Sequence, residues 1–207
     1  MIGIVDYGVG NLYSLTSSLR ALGQACAVSA DRDELERCDR LILPGVGAFG
    51  DAMAKLRVGG MDAFVIDQAR QGKPLMGICL GMQMLFDESR EHGRHKGLGL
   101  IGGSVEALAN DLPSGYKVPH MGWNALRKRR QDPLTDAVAD GAYVYFVHSF
   151  YAKHCDAACI ADCEYGIPVT AAVRQNNVMG TQFHPEKSGE DGLRILQAFA
   201  TTQWGRV

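Results

Sequence analysis

The sequence predicts an α/β fold with a mainly parallel central sheet, helices on both faces and an antiparallel section toward the C-terminus. Three observations carry this expectation. In the first half, short apolar runs alternate with segments of helical periodicity, the pattern of a parallel sheet covered on both sides. In the second half, apolar runs follow each other closely across turn residues, as antiparallel strands do. The length of 207 residues suits one domain, at about 150 residues each, so residues 1–207 read as a single unit.

The elements follow in order. Ile2-Gly3-Ile4-Val5 reads as a buried strand. Asn11 can cap a helix in which Leu12, Leu15, Leu19 and Leu22 recur at three and four, with Gly23 as the stop. Cys26-Ala27-Val28 is a second strand, and Asp31 can cap a brief helix around Glu34 and Leu35. Leu41-Ile42-Leu43 is a third strand, ending in Pro44-Gly45. One helix is expected from Ala52 to Gln71, then a strand over Pro74–Ile78 and a helix from Leu80 to about Asp87. Residues 97–128 carry glycines, prolines and short apolar pieces. Tyr143–Val147 is a strand, followed by Ala158–Glu164, Val169–Arg174 and Val178–Phe183, with turns at Tyr165–Pro168 and Asn176-Asn177. Ser188 can cap the last helix, with Asp191 three residues on and Leu193, Leu196 and Phe199 on its inner face. The run Arg127–Arg130 reads as a solvated loop.

Composition narrows the class. Hydrophobic residues make up 46% and charged residues 21%, which excludes a disordered chain. The net charge of −2 lacks the basic excess of a nucleic-acid binder. No apolar run reaches the ~18 residues of a membrane span, and the N-terminus lacks the pattern of a signal peptide. The six cysteines are therefore expected as thiols in a reducing cytoplasm.

One cysteine stands apart. Gly77-Ile78-Cys79-Leu80-Gly81 has the form G-x-C-x-G where a strand ends and a helix begins, the cysteine version of the nucleophile elbow. Side chains at the flanking glycines would meet neighbouring backbone. The turn places the sulfur at a helix N-terminus, where the dipole favours thiolate. It also points the Leu80 N–H toward a reacting carbonyl, as half of an oxyanion hole. A base is needed, and His184 follows an apolar strand that can deliver it to the same sheet edge. Glu186 can hold the far imidazole nitrogen.

Other patterns compete. Gly45-Val46-Gly47-Ala48-Phe49-Gly50 is a literal G-x-G-x-x-G, but it follows the third strand rather than the first, and Asp67 lies in a helical pattern. Small residues there suit an oxyanion segment instead, with a backbone N–H from Val46-Gly47. Cys155, Cys159 and Cys163 are spaced four apart, with Cys159 and Cys163 expected on one face of a strand; neither these nor His92 and His95 have convincing metal spacing.

The elbow extended through Gln83, with His184-Pro185-Glu186, resembles the class I glutamine amidotransferases. Within them, Asp6–Leu12, Leu43–Phe49, Pro119–Asn124, Tyr145–Ser149 and Gln182–Ser188 resemble the glutaminase subunits of imidazole glycerol phosphate synthase, of histidine biosynthesis. The resemblance runs end to end. It implies the flavodoxin-like sandwich of that family and a triad of Cys79, His184 and Glu186 that hydrolyses L-glutamine. It implies glutamine contacts at Gln83, Gly47, Ser149 and Phe150, the last standing where many relatives carry Tyr. It places Asn11, Trp123 and Lys187 near a partner, a separate (β/α)8-barrel cyclase subunit forming a heterodimer. No cofactor or metal is implied. A chain of 207 residues cannot also hold a barrel of about 250. The alternatives are an amidotransferase serving another acceptor, a stand-alone cysteine hydrolase and a binding module with a relict triad.

Overall fold

The computed structural model describes residues 1–205. Five strands run parallel in the order β2-β1-β3-β4-β13: β1 (Ile2–Val5), β2 (Cys26–Ser29), β3 (Arg40–Gly45), β4 (Leu75–Cys79) and β13 (Val178–Thr181). Four more continue the same sheet antiparallel in the order β12-β11-β8-β9: β12 (Pro168–Gln175), β11 (Cys159–Glu164), β8 (His120–Lys128) and β9 (Tyr143–His148). A second, four-stranded sheet has the order β10-β7-β5-β6, from β5 (Phe86–Ser89), β6 (His95–Lys96), β7 (Ile101–Ala107) and β10 (Phe150–Lys153).

The parallel strands are apolar on both sides because helices cover both faces. Ile2, Ile4, Ile42, Met76 and Ile78 share one core cluster with Leu15 and Leu19 of α1 (Leu12–Ala21) and Ile195, Leu196 and Phe199 of α6 (Gly189–Thr201). The alternate residues Val5, Leu41, Leu43 and Leu75 pack with Leu35 of α2 (Arg32–Glu36), Met53 of α3 (Phe49–Arg57) and Val65 of α4 (Met61–Arg70). The period of two along each strand thus divides one apolar run between two cores. Both expected caps form: Asn11 Oδ1 accepts from Ser14 N, and Asp31 Oδ1 accepts from Asp33 N.

Several expectations are corrected. The helix expected over 52–71 is two helices, separated by a 3-10 turn at Val58–Gly60. Gly59 (φ 70°) and Gly60 (φ 71°) are both left-handed, which no α-helix accommodates. The helix expected to reach Asp87 stops early, as α5 (Leu80–Met84), because Phe86 onward pairs with β7. Its apolar residues carried no stop signal, and the strand that claims them lies further along the chain. Ser188 does not cap α6: its hydroxyl donates to His184 O (2.6 Å) and accepts from Tyr145 N (2.9 Å). Leu193 is only half-buried, and Ile195 shares the inner face with Leu196 and Phe199.

The run Arg127–Arg130 is not a free loop either. Arg127 lies in β8 and pairs with Asp162 (2.7 Å) and Glu164 (2.9 Å), Arg129 sits 3.3 Å from Asp162, and Arg130 donates to the carbonyls of Ala157 and Arg174. Asp162 is buried on β11, so the basic run supplies its counter-charge. The shared face expected of Cys159 and Cys163 is also lost. A register shift in β11 puts Ile160, Ala161 and Cys163 in one core cluster and leaves Cys159 outside it.

Candidate active site

Cys79 is the last residue of β4 and immediately precedes α5. Its backbone sits at φ 55°, ψ −112°, a strained conformation for a residue with a side chain. Close packing holds it there. A Cβ on Gly81 would fall 1.9 Å from the Leu43 carbonyl oxygen of β3, and one on Gly77 would fall 2.5 Å from the Gly81 carbonyl oxygen. The two glycines are therefore steric requirements of the turn.

Sheet register brings the other members to Cys79. β13 pairs parallel with β4, Thr181 beside Ile78, so the chain beyond Thr181 leaves the sheet at the edge where Cys79 sits. On the other side β3 pairs Gly45 with Cys79, which starts the segment Gly45–Gly50 at the same edge. His184 shares the cavity wall with Cys79, which acts on its imidazole, and its Nδ1 lies 2.8 Å from Glu186 Oε1. The carboxylate can only accept, so Nδ1 carries hydrogen and Nε2 is left to serve the sulfur. Burial would push the His184 imidazole down, but the hydrogen bonds to Cys79 and Glu186 and their negative charges outweigh it and raise it to about 9. The second Glu186 oxygen, Oε2, is buried without a hydrogen-bond partner among the described residues.

A cavity of about 620 Å³ opens over the sulfur, lined by Val46, Gly47, Cys79, Leu80, Gln83, Glu91, His92, Pro119, Val147–Phe150 and His184. Its size suits a small molecule. The set can attack a carbonyl carbon with sulfur, protonate a leaving group from His184 and receive an oxyanion from backbone N–H groups. Among the described residues, no group of three or more His, Cys, Asp or Glu side chains is placed to hold a metal ion.

A family model for class-I glutamine amidotransferases matches residues 3–202. The chain belongs to the class I glutamine amidotransferases. It is 51% identical, over all of its own length and 98% of the relative's, to the imidazole glycerol phosphate synthase subunit HisH of Geobacillus thermodenitrificans (strain NG80-2). The HisH subunit of Rhodopirellula baltica (strain DSM 10527 / NCIMB 13988 / SH1) is 47% identical over 97% of each chain. Among solved structures, a glutamine amidotransferase crystal structure superposes with a TM-score of 0.74 at 21% identity, over 96% of this chain and 98% of that one. PurLQS from Thermotoga maritima superposes with a TM-score of 0.72 at 23% identity, over 96% of each. These last two show the shared fold.

In this amidotransferase the cleft gathers Cys79, Leu80, Gln83, Val46, Gly47, Ser149, Phe150 and His184 around one space, and Glu186 lies behind His184. Gly47 is left-handed at φ 93°, a conformation that favours glycine. Asn11 caps α1 and borders a narrow gap shared with Val46, His184 and Glu186. Trp123 and Lys187 meet at Tyr145. Trp123 is 54% exposed and meets Tyr145 edge-on at 5.9 Å, and the Lys187 ammonium lies 5.7 Å from the Tyr145 ring. Trp123 is therefore no packed core anchor.

The site also brings in residues that the sequence reading did not single out. Gln182 Nε2 lies 3.8 Å from Cys79 Sγ, and its Oε1 accepts from Gln83 Nε2 at 2.9 Å. Gln182 stands two residues before His184, just past the end of β13, a spacing that could have revealed the pair. Glu91 lines the cleft and accepts from Phe49 N at 2.7 Å. The start of α3, where a dinucleotide loop would hold phosphate, is thus occupied by an internal carboxylate. The third glycine of that loop serves packing, since a Cβ on Gly50 would fall 2.7 Å from the His95 ring. Tyr7 donates to Pro44 O at 2.7 Å, tying the same segment down. No local sequence signal announces Glu91 or Tyr7, because their partners lie 42 and 37 residues away.

Proposed function

We propose that this chain is the glutaminase subunit of imidazole glycerol phosphate synthase. It hydrolyses L-glutamine and passes ammonia to a separate (β/α)8-barrel cyclase subunit, which makes imidazole glycerol phosphate and an aminoimidazole carboxamide ribotide in histidine biosynthesis. The observation that carries the chemistry is the Cys79–His184–Glu186 chain at the floor of a cleft with room for a small molecule. The full-length identity to HisH subunits supports the partner and the pathway.

Cys79 attacks the side-chain amide carbon of glutamine. The oxyanion is received by the Leu80 N–H and an N–H from the Val46-Gly47 segment. His184 gives its proton to the departing ammonia, then draws one from water to release glutamate from the thioester. Glu186 fixes the His184 tautomer and supports its charge. Gln83, Gly47, Ser149 and Phe150 hold the substrate, and Glu91 offers a carboxylate to its ammonium group. Trp123 and Lys187, with Asn11, form the face toward the cyclase.

Residues 1–207 act as one glutamine amidotransferase domain, a reading supported by the nine-stranded sheet with core on both faces. Six free cysteines, and the lack among described residues of any helix able to cross a membrane, support a reducing cytoplasm.

The test is co-purification with the cyclase subunit, followed by glutaminase assays with and without the cyclase and its nucleotide ligand. Glutamine hydrolysis should be weak alone and rise strongly in the complex. Cys79→Ala should abolish glutamine-dependent cyclisation and leave ammonia-dependent cyclisation intact. Loss of both in a folded complex, or full activity of the isolated chain, contradicts the division of labour.

A further inference from the structure

Two buried histidines take no part in the chemistry above. His120 and His148 are register partners across the β8–β9 hairpin, with Nδ1 of His120 3.0 Å from Nε2 of His148. Nδ1 of His148 lies 2.9 Å from the Phe150 carbonyl oxygen. A carbonyl only accepts, so this Nδ1 carries hydrogen. Burial pushes His148 down to about 3 and His120 to about 4, and each ring is neutral with one ring proton. Nε2 of His148 is therefore bare and accepts, which makes Nδ1 of His120 the donor. Nε2 of His120 in turn accepts from Asn124 Nδ2 at 3.4 Å.

Every ring nitrogen is thus assigned, and the bonds run one way from Asn124 through His120 and His148 to the Phe150 carbonyl. The His120 ring is held between Phe146 (centroids 4.7 Å apart) and Tyr165 (4.0 Å), so it cannot turn without losing both stacks. The Phe150 carbonyl also accepts from Gln83 Nε2 at 2.9 Å, and the other Gln83 amide hydrogen goes to Gln182 Oε1 at 2.9 Å. Both donors of Gln83 are spent. Its carbonyl oxygen is the polar group left for a ligand.

We propose that His148, locked as the Nδ1–H tautomer by His120, is a positioning residue that sets the Ser149–Phe150 corner and aims the Gln83 carbonyl oxygen at the substrate's side-chain amide. This rests on the glutaminase reading for its substrate. An acceptor in that place bonds an amide N–H2 and repels a carboxylate, so the arrangement favours glutamine over its product glutamate.

Nitrogen-15 NMR of the full chain at neutral pH tests the tautomer. His148 should carry hydrogen on Nδ1 and none on Nε2; the reverse overturns the proposal whatever the activity. Kinetics in the complex with the cyclase test the positioning. His148→Asn keeps a donor near the place of Nδ1, and His148→Leu has a similar volume without one. His148→Leu should raise KM for glutamine roughly three- to tenfold, the worth of one neutral hydrogen bond, with a smaller change in kcat, while His148→Asn stays near the parent. Equal KM in folded Asn and Leu variants overturns the proposal. If His148→Leu does not fold, His120→Phe decides, since it keeps the stacking and removes the donor: mixed His148 tautomers with a raised KM support the proposal, and no change in either overturns it. A parent complex that hydrolyses no glutamine overturns the glutaminase reading instead, and the tautomer result still decides the lock.

Discussion

His184 concentrates the chemistry of this chain on one imidazole. Its proton is held by Cys79 on one side and Glu186 on the other, which raises it from 6.5 to about 9 despite burial. A folded-state value above the unfolded one means the contribution to stability is complete below about 6.5 and disappears as pH rises through about 9. Activity that needs the imidazolium as acid should fall over the same alkaline limb. Glu186→Gln removes the negative charge and weakens the bond, so His184 should titrate lower. The alkaline limb of kcat/KM should then move to lower pH, with kcat reduced roughly ten- to a hundredfold, as for a lost charged hydrogen bond. A pH profile with an unmoved limb would show that Glu186 does not support the proton. The members of this site were legible in the sequence because each carried a local mark: glycines two residues to either side of Cys79, and Pro185 between His184 and Glu186. Glu91 and Tyr7 carried no such mark, because their partners lie in distant segments, and Gln182 carried only its spacing of two from His184.

At the scale of elements, the elbow is made by three strands and a short helix meeting within van der Waals limits. Gly81 sits against the β3 backbone, and a methyl group there has no room at 1.9 Å from the Leu43 carbonyl oxygen. Gly81→Ala must push α5 away from β3, at a cost of about 1–3 kcal/mol in stability. It should also move Cys79 enough to lower glutaminase kcat by on the order of 10²-fold. Thermal unfolding and steady-state assays measure both, and a variant with unchanged kcat would show that the elbow tolerates displacement. Elements with their own punctuation were legible: Asn11 and Asp31 cap the helices they precede. Elements without it were not. The helix expected over 52–71 broke at Gly59-Gly60, and the one expected to reach Asp87 gave way to a strand whose partner is β7.

At the scale of the molecule, the sheet sends two kinds of residue to two places. The triad lies in a cleft, while Trp123, Tyr145 and Lys187 form an exposed patch on and beside the β8–β9 hairpin. An aromatic side chain 54% exposed contributes little to folding, and the proposed function gives it a place on the partner surface. Trp123→Ala should leave the melting temperature within about 2 °C of the parent, as an ordinary surface substitution does. It should weaken association with the cyclase by roughly tenfold or more, as a hot-spot residue would, raising the cyclase concentration needed to stimulate glutaminase. Titration of one subunit with the other measures it, and unchanged affinity removes Trp123 from the interface.

The same division separates what sequence alone determined from what tertiary structure decided. The α/β class, the strand and helix segments, the caps, the elbow and the His184-Pro185-Glu186 string were determined by sequence, because each is written in residues within a turn or two of one another, whereas the meeting of His184 with Cys79 follows from β13 lying beside β4. The second sheet, the end of α5, the pairing of Arg127–Arg130 with Asp162 and Glu164, the Gln182 contact and the facing of His120 with His148 were decided by tertiary structure. Each depends on which strand lies beside which, and that choice is made by burying both faces of one sheet together, not by any local pattern.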